Sequence, residues 1–272
     1  MKTLNRQINI SGVGLHSGEK SAVCLRPSNI PGISFKNAGG VSMASEAVVE
    51  EDSRLTGFCL PNGMKVRTGE HMLAAIAGMG LEAVEIEMEG EEVPIMDGSA
   101  FAFAHEIKEA GLCEVEGEAK KCAVSLPLTV EEKNGARLLF ALPSEELKIT
   151  YIIDYTGTPV GVQRASFTVT PDTFYETISR ARTFGLTSEL DYLKREGLAR
   201  GGSLDNALVF DEKGLLGGAR LRFPHECVIH KMTDLLGDLT LSGCLPTAHY
   251  VGICAGHSIH AKLTRKLKAI FG

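Results

Sequence analysis

The chain has 272 residues, 44% hydrophobic and 23% charged, with a formal net charge of −6. Such a length fits one large or two ordinary domains, and such a composition can bury a real core. The acidic balance argues against non-specific binding to nucleic acid, and the absence of any apolar run of about 18 residues argues against a membrane span. A local basic pocket for an anionic substrate remains compatible with an acidic protein.

The N-terminal stretch "KTLNRQINI" alternates polar and apolar residues and reads as a strand. It contains no continuous apolar region of a secretory signal, so a cytoplasmic protein is expected. "SAVCLRP" and "GISF" are further strands separated by Gly- and Pro-rich turns. A helical pattern follows in "HMLAAIAGMG" and ends at glycine, then "LEAVEIEME" alternates as a strand. "VPIMDGS" is a tight loop, and "SAFAFAHEIKEAG" reads as a second helix ending at glycine.

The second half repeats this order. "KCAVSLPLTVEE", "ARLLFALPS" and "LKITYIIDY" read as strands, "HKMTDLLGDL" as a helix, "TAHYVGIC" as a strand, "AGH" as a loop and "SIHAKLTRKLKAIF" as the closing amphipathic helix. His71 and His230 each open a helix, and each is followed seven residues later by glycine, Gly78 and Gly237. An internal duplication is the economical reading. It predicts an α+β fold of two similar two-layer domains, each a small sheet packed with helices, over residues 1–120 and 121–272, with 113–122 as linker. The second half carries extra sequence. "PDTFYETISRARTFGL" is expected to be a helix with its N-cap near Asp172, and 187–216 a short helix, a Gly-Gly turn and a strand. An insert of that size beside a site is usually functional.

The seven cysteines are scattered, with no C-x-x-C pair. Reduced, mostly buried thiols are expected rather than a disulfide framework or a thiolate zinc site.

The helix around His230 holds the densest chemistry. At ~100° per residue, Asp234 lies ~40° from His230 and Asp238 ~80° from it, so all three share one quadrant. A histidine and a carboxylate four apart can supply two metal ligands, and they can equally form a solvated helix edge. If the duplication brings the two histidine helices together, His71 joins His230 and Asp234 as a His₂Asp set with one position left open. Glu70, next to His71, suits a carboxylate that takes a proton from water; it also suits an exposed acid favoured by the helix dipole. Asp238 could face the "AGH" loop and hold His257 charged near neutrality, or that histidine could be an idle loop residue. His16, in "GVGLHSG", reads as structural. His105, His225, His249 and His260 read as surface, packing or cap residues. "GVGLHSG" lacks the spacing and the Lys-Ser/Thr of a nucleotide-binding loop.

"GVGLHSG", "EHMLAAIAGMG", "VPIMDGSA", "SRARTFG", "GGSLDNA", "HKMTDLLGD" and "AGH" together resemble, in order and spacing, the zinc-dependent UDP-3-O-acyl-N-acetylglucosamine deacetylase family of lipid A biosynthesis. The resemblance covers essentially the whole chain. It implies two α+β domains of similar topology with the active site between them. It further implies His71, His230 and Asp234 as ligands of one Zn²⁺ (Fe²⁺ is compatible with the same donors), Glu70 as general base, and His257 as acid and oxyanion stabiliser partnered by Asp238. By the same resemblance Thr183 helps polarise the amide carbonyl, Phe184 contacts substrate and Lys231 contacts the nucleotide or its phosphates. The Gly256–His257 pair and Arg137 lie on the phosphate side. The insert, about 186–218, becomes a βαβ element lining a passage for the acyl chain.

Two departures stand out: Arg137 and Cys254 occupy positions where some members carry lysine. The implied partner is the nucleotide-sugar substrate alone, with a monomeric protein. The rival readings are a zinc hydrolase of another acylated carrier and a non-catalytic α+β binding module.

Overall fold

The computed structural model describes residues 1–50 and 56–272. Two five-stranded sheets carry the fold. In the first, the spatial order is Ile8–Val13, Lys20–Pro27, Ala83–Glu89, Gly32–Asn37, Gly40–Met43; in the second it is Leu128–Glu132, Arg137–Leu142, His249–Ile253, Lys148–Tyr155, Gly161–Thr168. Each sheet therefore runs first, second, fifth, third, fourth in chain order. Each inserts its last strand at the centre, and that strand pairs in parallel with the third and antiparallel with the second. This mixed α+β architecture is the one expected, and the matching strand order is what a duplicated unit produces.

Alternation explains the first sheet directly. Val23 and Leu25 face the core from one strand, and Val84 and Ile86 from its neighbour, with Glu85 and Glu87 turned outward onto Lys36 and Arg26. "KTLNRQINI" is broken into two pieces. Lys2–Leu4 pairs with Leu112–Glu114 and ties the N-terminus to the start of the expected linker, while the sheet strand begins at Ile8.

Helix α1 (Glu70–Gly78) and helix α5 (Glu226–Thr240) form the principal helix–helix contact. Helix α1 has no polar face, and from Glu226 to Thr240 only Lys231 is not buried, so both run through the interior. The solvated-edge reading of His230, Asp234 and Asp238 is thereby excluded: all three are 4% exposed or less. Gly237 allows this approach, because a Cβ there would lie 2.1 Å from the Glu70 carbonyl oxygen. Gly237→Ala is expected to cost about 1–3 kcal/mol as an overpacked contact and to displace Glu70; denaturant unfolding and turnover both read it.

Helix α2 (Phe101–Ala110) covers the first sheet, and helix α6 (His257–Phe271) packs on α5 and the second sheet. Helix α3 (Pro171–Glu176) is shorter than expected. Its N-cap is Thr170, whose hydroxyl accepts from Thr173 N, with Pro171 at the first helical position. The chain leaves the helix at Thr177, makes a single tight turn over 178–180 and continues extended. The insert then forms a β–α–β unit: Phe184–Leu186 pairs in parallel with Leu208–Asp211, joined through helix α4 (Thr187–Arg195).

The expectation of free thiols also fails. Cys122 and Cys244 are joined in a disulfide, their Cα atoms 6.4 Å apart, so not every thiol is free. The linker is held alongside the loop after α5 by Thr247 N donating to Cys122 O at 2.8 Å and Val124 N to Thr247 O at 3.0 Å. That return of the chain, across a separation of 122 residues, is what local spacing cannot reveal.

Candidate active site

The N-terminal turn of α1, helix α5 and the N-terminus of α6 all contribute to the lining of a cavity of about 970 Å³. Glu70, His71, His230, Lys231, Asp234 and His257 are all among the residues that line it. His71 and His230 stand edge to face with ring centroids 4.9 Å apart. Asp234 Oδ1 is 3.2 Å from His230 Nε2 and 3.7 Å from His71 Nε2.

This trio fits a metal ion by its own chemistry. The ligand atoms lie within 4.8 Å of one another, and all three residues are buried. His230 Nδ1 donates to the Ala181 carbonyl at 3.0 Å, which fixes the tautomer and leaves Nε2 with its lone pair aimed at the cluster. Burial pushes the His230 pKa down to about 3, so the ring is neutral. Burial opposes the charge on Asp234, but its cationic surroundings, with the Lys231 ammonium 2.8 Å from Oδ2, hold its carboxyl well below the usual range. Asp234 Oδ1 is nonetheless buried with no hydrogen-bond partner among the described residues. A buried carboxylate oxygen in that condition is costly unless a cation completes it.

Glu70 is the second buried carboxylate with an orphaned oxygen, Oε2. Burial raises its pKa against the pull of His257 and His71, which gives it the proton affinity of a base rather than a spectator. Its Oε1 is 3.8 Å from His257 Nε2, and the same nitrogen is 3.7 Å from Asp234 Oδ2. Behind His257, Asp238 Oδ2 accepts from Nδ1 at 2.8 Å. Burial works against a charge on His257, but Asp238 above all, then Asp234 and Glu70, outweigh it and raise the pKa to about 9. The partnership of Asp238 with His257, only a possibility of helical geometry in the sequence, is a hydrogen bond in the structure.

Thr183, Phe184, Arg137 and Gly256 line the same cavity. Lys231 donates to Asp234 Oδ2 at 2.8 Å, so its ammonium borders the donor set as well as the open space. Arg137 stands 3.8 Å from Glu132, beside Lys262, which reaches the same carboxylate at 2.8 Å. The cavity thus has a basic flank. Leu190, Leu193, Leu204, Val209 and Leu216 from the insert give the same cavity an apolar part of its lining.

The segment carrying Ala181 and Thr183 is clamped. Glu226, wholly buried, accepts from Arg182 N at 3.1 Å and from Arg182 Nε at 2.8 Å. Glu226→Ala would strand the Arg182 charge and is expected to cost about 3–5 kcal/mol, read by denaturant unfolding.

The glycine-rich loop around His16 is tied down by a buried carboxylate, and His16 itself lines the same cavity as Glu70 and His257. Glu92 accepts from His16 N at 2.8 Å, Ser17 N at 2.7 Å and the Thr68 hydroxyl at 2.8 Å. A Cβ at Gly14 would collide with that carboxylate. The loop in turn holds the insert, with Arg200 N donating to His16 O and Gly201 N to Leu15 O.

Three residues of the site escaped the sequence reading. His260, expected to be a surface, packing or cap residue, is fully buried and donates from Nδ1 to Asp238 Oδ2 at 2.7 Å. Its spacing of three from His257 on one helix was the available signal. Thr56 reaches Asp238 and His257 from the other half of the chain, and Tyr151 bonds His260; neither carries a local signature.

Two histidines and a carboxylate around one open position, with a separate basic carboxylate and a charged histidine beside them, are the equipment of a metal-dependent hydrolase. The family model described as UDP-3-O-acyl N-acetylglycosamine deacetylase matches residues 1–269. Proteins named UDP-3-O-acyl-N-acetylglucosamine deacetylase are similar over the whole length. The one from Syntrophotalea carbinolica is 38% identical over 98% of this chain and 87% of its own. That from Thermosynechococcus vestitus is 38% identical over 98% and 93%, and that from Pseudomonas entomophila 38% over 98% and 90%. The chain belongs to the UDP-3-O-acyl N-acetylglycosamine deacetylase family.

Proposed function

We propose that this protein hydrolyses the acetamide of UDP-3-O-acyl-N-acetylglucosamine to acetate and the free amine, an early committed step of lipid A biosynthesis. The observation that carries this reading is the pair of orphaned buried carboxylate oxygens, on Asp234 and Glu70, in a cavity whose lining includes both basic and apolar side chains. His71, His230 and Asp234 would hold a single Zn²⁺, with Fe²⁺ compatible with the same donors. A divalent ion in such a set acidifies water and polarises a carbonyl.

Glu70 takes the proton from the attacking water at its Oε2 face. His257, charged through Asp238, faces the developing oxyanion with Nε2, and the Thr183 hydroxyl supports the same oxygen. Proton return to the departing nitrogen falls to His257 or Glu70, which face each other at 3.8 Å. Lys231, Arg137 and the Gly256 turn bind the anionic nucleotide side, Phe184 contacts substrate, and the insert's leucines exclude water from the acyl chain.

In this reading the two halves, 1–120 and 121–272, are duplicated domains meeting across α1 and α5, in a monomeric cytoplasmic protein. The identical strand order of the two sheets supports the duplication.

The substrate assignment is tested by comparing the acylated substrate with UDP-N-acetylglucosamine, which lacks the acyl chain. Binding energy from a remote apolar arm is expected to appear in turnover as well as affinity, so kcat/KM should fall by ~10²-fold or more without it. Equal rates on both would remove the acylated sugar from the proposal.

A further inference from the structure

Asp238 is shared by two histidines. His257 Nδ1 and His260 Nδ1 approach the same oxygen, Oδ2, at 2.8 and 2.7 Å, while Thr56 Oγ1 donates to the other oxygen, Oδ1. A carboxylate can only accept, so both Nδ1 atoms carry protons. That removes their lone pairs, and the trio is a hydrogen-bonded network rather than a second ligand set. What distinguishes the two rings is the opposite nitrogen. His257 Nε2 opens on the cavity toward Glu70 and Asp234. His260 Nε2 is sealed in the core and meets the Tyr151 hydroxyl at 2.7 Å.

Two imidazoles beside one carboxylate compete for its stabilisation. If His260 became the cation, Asp238 would serve it, and the charge on His257 would lose its main support. Tyr151 and His260 are both completely buried, Tyr151 on the central part of the second sheet and His260 one turn along α6 from His257. Burial lowers the pKa of His260 and raises that of the Tyr151 hydroxyl well above its ordinary value. The phenol therefore stays a donor, its proton points at His260 Nε2, and His260 is held neutral with its proton on Nδ1. The chain of donation then runs from Tyr151 through His260 to Asp238, and from His257 to the same carboxylate.

We propose that Tyr151 and His260 are positioning residues for catalysis: by fixing His260 in its neutral Nδ1–H form they orient Asp238 and reserve its negative charge for His257. This rests on the reading of His257 as the catalytic acid. Thr56, which also lies 3.1 Å from His257 Nδ1, supports the same carboxylate from the other half of the chain.

Tyr151→Phe deletes only the hydroxyl and keeps the buried ring, and His260→Phe removes the donor to Asp238. His260→Asn keeps an N–H near the Nδ1 position. Supporting partners of this kind typically carry ~10–100-fold in activity. Tyr151→Phe and His260→Phe are expected to lower kcat about tenfold or more with KM and metal content unchanged, and His260→Asn to recover most of the loss. The decisive comparison is a cycle with His257→Gln. In that background His260→Phe and Tyr151→Phe should have no further effect, because the residue they act through is gone.

A further loss in the His257→Gln background, or full activity in both single variants, overturns the proposal. If His257→Gln itself keeps full activity, it is the acid assignment that fails, a different and separately visible result. Should His260→Phe not fold, Tyr151→Phe decides alone.

Discussion

Replacing His230 with alanine is expected to abolish both metal binding and acetate release while leaving a folded protein. The loss should exceed the ~10²–10⁴ attributable to a single proton-transfer group, because the nucleophile's activation goes with the ligand. The structural reason is specific: His230 Nε2 is held toward Asp234 Oδ1 by the bond from Nδ1 to the Ala181 carbonyl, and alanine removes that nitrogen. His71→Ala should behave in the same way from the opposite helix. Metal analysis of the purified variants, alongside circular dichroism, checks the result. Retention of tightly bound metal by both variants would move the ion away from this trio.

Glu70→Gln is expected to separate binding from chemistry. The amide is isosteric with the carboxylate, and Glu70 is not among the three grouped donors, so metal content should remain that of the parent. Turnover should fall by ~10²–10⁴-fold with KM little changed, as for loss of a general base. Burial is also relieved of an ionisable group whose pKa is already raised, so the variant should be no less stable than the parent. A Glu70→Gln enzyme with parental kcat would assign the proton transfer to His257 alone. Loss of the metal would instead make Glu70 a ligand.

Much of this was legible because the informative residues recur at fixed helical intervals. His230, Asp234 and Asp238 advertise a face, and the spacing shared with His71 points to the histidine whose ligand atom the structure brings within 4.8 Å of those of His230 and Asp234. The two five-stranded sheets also share one strand order. The glycines seven residues after each histidine have a physical cause in tight packing: Gly237 lies against the Glu70 carbonyl, and Gly78 against the Phe174 ring.

What stayed hidden depends on contacts between distant parts of the chain. The Gly161–Thr168 strand was overlooked because its inward positions include Gln163, a polar residue that is buried to accept from Val228 N on α5. The helix expected over 171–186 stops early because Glu226, on α5, holds Arg182 in an extended segment, and no local propensity encodes that. His260 and Tyr151 meet across a separation of 109 residues, and Thr56 meets Asp238 across 182. The Cys122–Cys244 bond belongs to the same class. Helical periodicity exposes residues that share a face; it is silent about which strand or loop covers that face.

The most direct measurement is acetate release from UDP-3-O-acyl-N-acetylglucosamine by the parent protein, with metal content determined before chelation, after chelation and after return of Zn²⁺. The account predicts one bound ion per chain, activity lost with it and restored by it, as for a three-ligand catalytic set. Undiminished acetate release from the metal-free protein would contradict it, and so would a fully metal-loaded protein that leaves the acetamide intact.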